Sequence, residues 1–154
     1  MASPIVFLDF DGVLNTAKTW GNRREHAVDA DKVALLNNLV EATDAVIVIS
    51  STWRRCYTLA ELQGFLQMRG LERPDRVVDV TGGDDEGLRG EEISNWLTAH
   101  CNPKDWPNFV ILDDMPVNQF EGLLKHFVQI KSSEGLTVFN CKTAARVLSG
   151  GELT

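Results

Sequence analysis

Five short apolar runs, separated by segments with helical periodicity, constrain the fold of this chain more than any other feature. The runs predict strands at about Ile5–Phe10, Ala45–Ser50, Arg76–Val80, Asn108–Asp114 and Phe127–Ile130. Helices are predicted from a cap at Asp29 or Asp31, from a Thr58–Glu61 capping box, and over about Gly90–His100, Pro116–Lys125 and Lys142–Leu148. Apolar strands that alternate with amphipathic helices are typical of a three-layer α/β domain, in which helices cover both faces of a parallel sheet.

Length and composition favour one soluble domain. The 154 residues are enough for one hydrophobic core, and no linker or repeat divides them, so we predict a single domain over residues 1–154. The apolar runs are strand-sized and no signal-peptide pattern is present, so we expect a cytoplasmic protein that does not associate with a membrane. Three widely spaced cysteines favour free thiols. The formal net charge of −7 disfavours a general nucleic-acid-binding surface but leaves a local basic patch open.

Carboxylates and hydroxyl groups follow three of the predicted strands, at the point where each strand ends. Asp9 and Asp11 follow the first strand, Ser50, Ser51 and Thr52 follow the second, and Asp113 and Asp114 follow the fourth. Because ligand sites of such sheets lie at the carboxyl ends of the strands, we expect these side chains to converge. Four adjacent carboxylates repel one another unless a cation neutralises them. Oxygen ligands with no His or Cys nearby favour Mg²⁺, so the sequence predicts a magnesium site at this edge of the sheet.

The order of these motifs resembles that of the haloacid dehalogenase (HAD) superfamily over about Ile5–Leu148. The Asp-x-Asp-Gly first motif of the superfamily is similar to Asp9–Gly12, the second motif to "VIVIS" ending at Ser50, and the fourth to "VILDD". The third motif is a basic residue at the start of the helix before the fourth strand, where Arg89 fits best and Lys104 is the alternative. Within the superfamily, "ISSTWR" and the ending "GLT…AARVL" resemble HAD domains linked to nucleic-acid end-repair proteins. The resemblance implies a Rossmann-like HAD fold without a folded cap domain.

The same resemblance implies a Mg²⁺-dependent phosphohydrolase and a role for each motif residue. Asp9 is expected to be the nucleophile that forms an aspartyl-phosphate, and Asp11 is expected to be the general acid and base. Ser50 and Arg89 would hold phosphate oxygens. The expected metal ligands are Asp9, the backbone carbonyl of Asp11 and the Asp113–Asp114 pair. In that pair Asp114 binds the metal and Asp113 braces it, or the order is reversed.

The substrate side of the site is predicted from the connecting segments and the basic residues beside them. The two segments that could hold a cap, about 14–28 and 81–88, are too short for a folded domain, so we expect a site open to a bulky substrate. Basic residues are concentrated just after the first two strands, and the expected substrate-binding residues are Gly12, Arg23, Arg24, Ser51 and Arg54. The candidate partner is therefore a phosphorylated substrate such as a nucleic-acid end, and no obligate protein partner is evident.

Three other functions stay open from the sequence. They are a phosphoprotein phosphatase, a small-molecule phosphatase of the same fold, and a non-catalytic phospho-binding or receiver-like module. In a receiver domain the phosphorylated aspartate ends the third strand, whereas "RVVDV" here ends in Val80 and Thr81. The presence of both Asp9 and Asp11 favours an enzyme over a silent module.

Overall fold

The computed structural model describes residues 2–22, 27–83 and 87–154 of the chain. Its strands are β1 (Ile5–Leu8), β2 (Val46–Ile49), β3 (Val77–Val80), β4 (Phe109–Asp113) and β5 (Phe127–Gln129). Its α-helices are α1 (Ala17–Asn22), α2 (Ala30–Thr43), α3 (Leu59–Met68), α4 (Arg89–His100) and α5 (Val138–Leu148). Strands and helices alternate along most of the chain, as the apolar runs predict.

The five strands form one parallel sheet in the order β3-β2-β1-β4-β5, with β1 at its centre. β1 and β4 are completely buried and rich in branched apolar residues, which is the composition of a strand that is covered on both faces. Leu8 of β1 aligns with Ile49 of β2 and with Leu112 of β4. Because these three strands end in register, the residues that follow them lie side by side at one edge of the sheet.

Helices cover both faces of the sheet, so the predicted three-layer architecture is confirmed. Successive side chains of a strand point to opposite faces. Val6 and Leu8 pack into a core with apolar residues of α2, α3 and α5. Ile5 and Phe7 pack into a second core with apolar residues of α4.

The segment after β4 differs from the prediction of a helix over Pro116–Lys125. It forms two 3₁₀ turns, Val117–Phe120 and Leu124–His126. Gly122 lies between them with a φ of 82°, a left-handed conformation that cannot continue a right-handed helix. Phe120 is nevertheless fully buried in the second core. The spacing of apolar residues therefore indicated correctly which side chain is buried, but not the backbone structure of the segment.

Capping boxes explain where α3 and α5 begin, whereas Asp29, at the N-cap position of α2, makes no side-chain capping hydrogen bond. The predicted capping box of Thr58 and Glu61 is present at the start of α3. A second box, formed by Thr137 and Asn140, starts α5 at Val138 instead of about Lys142. The short helix α1 was not predicted, because six residues are too few to show a helical period.

The described residues also bear on membrane spans and on the cysteines. Across the ranges given above, no helix combines the length and the apolar character needed to cross a membrane. Cys56, Cys101 and Cys141 are free thiols, as their spacing predicts. Burial raises the pKa of the Cys141 thiol to about 11, so this group is a neutral packing residue near pH 7.

Candidate active site

The residues that follow β2, β1 and β4 lie in one row at the carboxyl edge of the sheet. The strand register places Ser50 and Asp113 on either side of Asp9. Backbone hydrogen bonds continue into this row, from the Asp9 N–H to the Leu112 carbonyl (3.0 Å) and from the Ser50 N–H to the Leu8 carbonyl (2.8 Å). The structure therefore brings together polar residues that come from three separate parts of the sequence.

Asp9 is buried at the centre of this row. Its Oδ1 accepts a hydrogen bond from the Phe10 N–H (2.8 Å), and its Oδ2 lies 3.2 Å from Nη1 of Arg89. Burial raises the pKa of the Asp9 carboxyl well above its usual range, repulsion from Asp113 adds to this, and Arg89 opposes it. A cation bound beside Asp9 would favour the ionised form of this carboxyl, which is the nucleophilic form.

The guanidinium of Arg89 joins Asp9 to Asp113. Arg89 is the first residue of α4, and its Nη1 donates a hydrogen bond to Oδ2 of Asp113 at 2.9 Å. Burial lowers the pKa of Arg89, but the attraction of Asp9 and Asp113 outweighs it, so the pKa is raised and the group stays charged. Lys104, the alternative third-motif residue, is exposed in the loop that leads from α4 to the start of β4. The basic group that contacts the carboxylates is therefore Arg89.

The two aspartates at the end of β4 differ in their contacts. Both oxygens of Asp113 already accept hydrogen bonds, Oδ1 from the Met115 N–H (3.0 Å) and Oδ2 from Arg89. The Asp114 carboxylate accepts no hydrogen bond from any residue in the described ranges, and it lies against Gly12. A Cβ on Gly12 would come within 2.2 Å of Oδ2 of Asp114. Gly12 therefore provides the space that Asp114 occupies, in addition to the turn after β1.

Asp9, Asp113 and Asp114 form a carboxylate trio that could hold a metal ion. One oxygen of each lies within 4.8 Å of the other two. Burial also raises the pKa of Asp113, so the trio is an unfavourable place for three negative charges. Three hard oxygen ligands without a histidine or a thiol among them suit Mg²⁺. The donor set therefore fits the predicted ion, whose charge would relieve the repulsion.

The Asp11 carboxylate lies outside this trio and is held by two side chains that the sequence analysis missed. Its Oδ1 accepts hydrogen bonds from Nε1 of Trp53 (2.9 Å) and from Nδ2 of Asn15 (3.2 Å). Oδ1 of Asn15 in turn accepts a hydrogen bond from the Gly12 N–H (2.9 Å). The sequence analysis expects the backbone carbonyl of Asp11, and not its carboxylate, to bind the metal, which leaves the carboxylate for another function.

The two serines that follow β2 have different environments. Ser50 is fully buried, and its Oγ makes no hydrogen bond to any residue that the structure describes. An unsatisfied buried hydroxyl costs about 1–3 kcal/mol, which a bound oxygen ligand would recover. Ser51, expected to bind substrate, uses its Oγ to accept the Trp53 N–H (3.2 Å) at the start of the 3₁₀ turn Thr52–Arg55. Of the two serines, Ser50 is thus the one whose hydroxyl has no hydrogen-bond partner among the described residues.

Arg54 was expected at the rim of the active site, as a substrate-binding residue, and the structure shows it mostly buried in an ion pair. Its guanidinium pairs with Glu92 of α4, and the two side chains are only 9% and 10% exposed. Burial raises the pKa of Glu92, and Arg54 lowers it, so each group compensates the other. Arg54 therefore connects the turn after β2 to α4. Arg23 and Arg24, the other two basic residues expected to bind substrate, lie outside the described residues.

A cleft of about 310 Å³ opens beside Asp11 and Asp114. Its remaining lining residues are Gly12, Asn15, Thr16, Ala17, Ser132 and Ser133. Ser132 and Ser133 belong to the loop after β5, which the sequence analysis did not single out because no acidic residue comes directly after that strand. The described parts of the two connections that could hold a cap contain α1 and no separate domain.

Comparison with known proteins indicates the family of the chain. Residues 5–140 match the sequence model of a family described as the HAD domain in Swiss Army Knife RNA repair proteins. No similar chain was found among curated proteins, and none among solved structures. The match includes the carboxylate trio and Arg89, it confirms the resemblance seen in the motifs, and it supports a hydrolase of the HAD type. The chain therefore belongs to the family of HAD domains found in Swiss Army Knife RNA repair proteins.

Proposed function

We propose that this chain is a Mg²⁺-dependent phosphohydrolase that cleaves phosphate monoesters through an aspartyl-phosphate at Asp9. The observation that carries the proposal is that Asp9 lies close both to the carboxylates of Asp113 and Asp114 and to the guanidinium of Arg89. A carboxylate that approaches a phosphate dianion is repelled, so a nucleophile of this kind needs positive charge around it. Arg89 supplies part of that charge, and a cation in the trio would supply the rest.

The metal ligands follow from the contacts of the two aspartates after β4. Asp114 is proposed as a direct side-chain ligand because its carboxylate accepts no hydrogen bond from the described residues. Asp9 is proposed as the other because only its Oδ1 accepts one, whereas each oxygen of Asp113 already accepts a hydrogen bond. Asp113 would then brace Arg89. Bound Mg²⁺ would supply positive charge to the phosphate oxygens and to the carboxylates that surround them.

The other steps of the two half-reactions are assigned to side chains of the protein. An oxygen of Asp9 forms a bond to phosphorus, the bond from phosphorus to the leaving oxygen breaks, and Asp11 gives that oxygen a proton. A water molecule then attacks phosphorus, the bond from phosphorus to Asp9 breaks, and Asp11 takes a proton from the water. Arg89 and the Ser50 hydroxyl hold phosphate oxygens throughout.

A phosphorylated polynucleotide end is the proposed substrate. The matching family is described by its role in RNA repair, and the described residues form no separate domain over the cleft beside Asp11. Because Glu92 compensates Arg54, positive charge for a second phosphate has to come from other residues. The alternative substrates are a phosphoprotein and a small phosphometabolite, and the test must distinguish them from a polynucleotide end.

The test measures phosphate release from oligoribonucleotides with 3′- or 5′-phosphates, a phosphopeptide and a sugar phosphate, with Mg²⁺ or with excess chelator. We expect the highest kcat/KM for an oligonucleotide end, loss of activity in chelator, and no activity in Asp9→Asn. Asp105→Asn is the matched control, because Asp105 is an exposed aspartate in the loop before β4, and it should keep full activity. Full activity in chelator or in Asp9→Asn would refute the mechanism, whereas preference for the sugar phosphate would refute the substrate alone.

A further inference from the structure

Two side chains from different parts of the chain donate hydrogen bonds to the same oxygen of Asp11. Nε1 of Trp53 lies 2.9 Å from Oδ1, and Nδ2 of Asn15 lies 3.2 Å from it. A carboxylate oxygen has two lone-pair positions, so two N–H donors fill Oδ1. Within the described ranges, no side chain or backbone group donates a hydrogen bond to the second oxygen, Oδ2. Oδ2 is therefore the oxygen of Asp11 that remains for a bound molecule.

Trp53 is a rigidly held donor. Its side chain is 2% exposed, and its ring packs edge-on against Phe10 with 4.7 Å between ring centroids and against Phe65 with 6.4 Å. Its backbone is fixed in turn, because the Trp53 N–H is capped by Oγ of Ser51. A buried indole N–H needs an acceptor, and here the acceptor is a residue of the active site instead of a backbone carbonyl.

Asn15 is held as firmly as Trp53. It is fully buried, its Oδ1 accepts the Gly12 N–H at 2.9 Å, and its Nδ2 also donates to the Ala27 carbonyl at 2.8 Å. A backbone N–H can only face the amide oxygen and a carbonyl can only face the amide nitrogen, so these two contacts fix which way the amide points. Both donors to Asp11 therefore have a single orientation.

We propose that Trp53 and Asn15 are positioning residues that hold the Asp11 carboxylate so that Oδ2 faces the leaving oxygen of the substrate. The inference rests on the proposed function. In the first half-reaction Asp9 bonds to phosphorus, the bond from phosphorus to the leaving oxygen breaks, and the proton on Oδ2 moves to that oxygen. In the second half-reaction the water oxygen bonds to phosphorus, the bond from phosphorus to Asp9 breaks, and a water proton returns to Oδ2. Without the two donors the carboxylate could rotate and present either oxygen in several directions.

Substrates with different leaving groups separate this role from a general loss of structure. Trp53→Phe keeps an aromatic ring and removes the N–H. For an alkyl phosphate, whose leaving oxygen needs a proton, kcat/KM should fall about 10- to 100-fold, because general acid catalysis contributes about 10²–10⁴-fold. For 4-nitrophenyl phosphate, whose leaving group departs without a proton, kcat/KM should fall less than about 3-fold by the same reasoning. The double variant Asp11→Asn/Trp53→Phe should have the same kcat/KM for 4-nitrophenyl phosphate as Asp11→Asn alone, because the carboxylate that Trp53 positions is already absent.

Trp96→Phe is the matched control. Nε1 of Trp96 also donates to a carboxylate, that of Asp79, at 2.8 Å, but this pair joins α4 to β3, away from Asp11. The control variant should affect both substrates equally. If Trp53→Phe also slows both substrates by the same factor in an active protein, the positioning role is wrong although the proposed function stands. A parent protein that hydrolyses neither substrate would overturn the proposed function and this inference together.

Two further measurements do not depend on the stability of Trp53→Phe. Benzothienylalanine at position 53 keeps the size of the bicyclic ring and replaces the N–H by sulfur, so it should produce the same difference between the two substrates. In protein without substrate, the NMR resonance of the Trp53 indole proton should shift in Asp11→Ala. A resonance that stays in place would mean that the hydrogen bond to Asp11 is not formed in solution, and the inference would fall irrespective of activity.

Discussion

The site requires a glycine at position 12, because a side chain there would collide with Asp114. Its φ of 79° is a left-handed conformation, and Oδ2 of Asp114 occupies the place where a Cβ would be. The glycine therefore meets two requirements at once, since it turns the chain after β1 and leaves room for a proposed metal ligand. A larger residue would displace Asp114 even if the backbone tolerated the strain.

Gly12→Ala should lower the free energy of unfolding and weaken Mg²⁺ binding. Gly122→Ala is its matched control, because Gly122 has a φ of 82° and nothing within 4 Å of its Cβ position. The control should lose about 1–2 kcal/mol from left-handed strain alone and keep its metal affinity. Denaturant unfolding and calorimetric titration with Mg²⁺ measure both effects. Equal results for the two variants would show that the space beside Asp114 is unimportant.

The sequence indicated which residues carry charge at the site, but not which side chains hold them. Asp9, Asp11 and Ser50 were predicted because each follows an apolar strand, and strand ends are visible in the sequence. The hydrogen bond from Trp53 to Asp11 was not predictable, because it joins residues 42 positions apart that lie in two loops. No periodicity relates such loops, so their contacts depend on tertiary packing.

The turn after β2 and helix α4 are joined by the ion pair of Arg54 and Glu92. Glu92 lies three residues after Arg89 and therefore on the same side of α4. Arg54 also donates from Nη1 to the Ser51 carbonyl at 3.4 Å. This pair connects the element that carries Ser50 with the element that carries Arg89, so it stabilises the site without contacting the carboxylate trio.

Arg54→Ala should lower the free energy of unfolding by about 3 kcal/mol, because it leaves Glu92 buried without its cation. Arg73→Ala is the control, since Arg73 pairs with Asp75 at the surface with side chains 63% and 61% exposed, and it should change little. Burial already raises the pKa of Glu92, and loss of Arg54 would raise it further. The loss in Arg54→Ala should therefore shrink as the pH falls toward that pKa, where protonated Glu92 needs no cation. Denaturant unfolding at several pH values measures the loss in the free energy of unfolding. A loss in Arg54→Ala that does not depend on pH and equals the loss in Arg73→Ala would contradict a stabilising role of the Arg54–Glu92 pair.

Strands were easier to predict than the segments between them. The three central strands, β2, β1 and β4, are almost entirely buried and apolar, and such a run is visible in the sequence whatever its neighbours are. The helix predicted over Pro116–Lys125 was wrong because burial of Phe120 and Leu123 mimics helical spacing, while Gly122 breaks the backbone. The spacing of apolar residues reports which side chains are buried, and only the backbone geometry decides how the chain reaches them.

The parallel sheet as a whole concentrates negative charge at one edge. Asp9, Asp113 and Asp114 come from two neighbouring strands that end in register, and their carboxylates oppose one another when no cation is bound. An ion that binds only the folded protein stabilises it, by about 2.7 kcal/mol when its concentration is 100 times the dissociation constant. The proposed metal site should therefore be visible in the stability of the entire domain.

Mg²⁺ should raise the melting temperature of the domain, and Asp114→Asn should remove most of that increase. Without Mg²⁺, Asp114→Asn should be at least as stable as the parent protein, because it removes one of the repelling charges. Asp105→Asn, which changes an exposed carboxylate outside the site, should keep the full response to Mg²⁺. Calorimetric melts with Mg²⁺ and with chelator measure both effects. A response that survives Asp114→Asn unchanged would place the ion elsewhere.

The most direct test of Asp9 as the nucleophile is to identify the phosphorylated residue by mass spectrometry. The protein would be mixed with excess 4-nitrophenyl phosphate and Mg²⁺, quenched in acid during turnover and digested. We predict phosphate on Asp9 in the peptide that contains β1, a larger phosphorylated fraction in Asp11→Asn because water attack is slowed, and none in Asp9→Asn. Phosphate on any other residue, or continuing turnover in Asp9→Asn, would contradict an aspartyl-phosphate mechanism at this site.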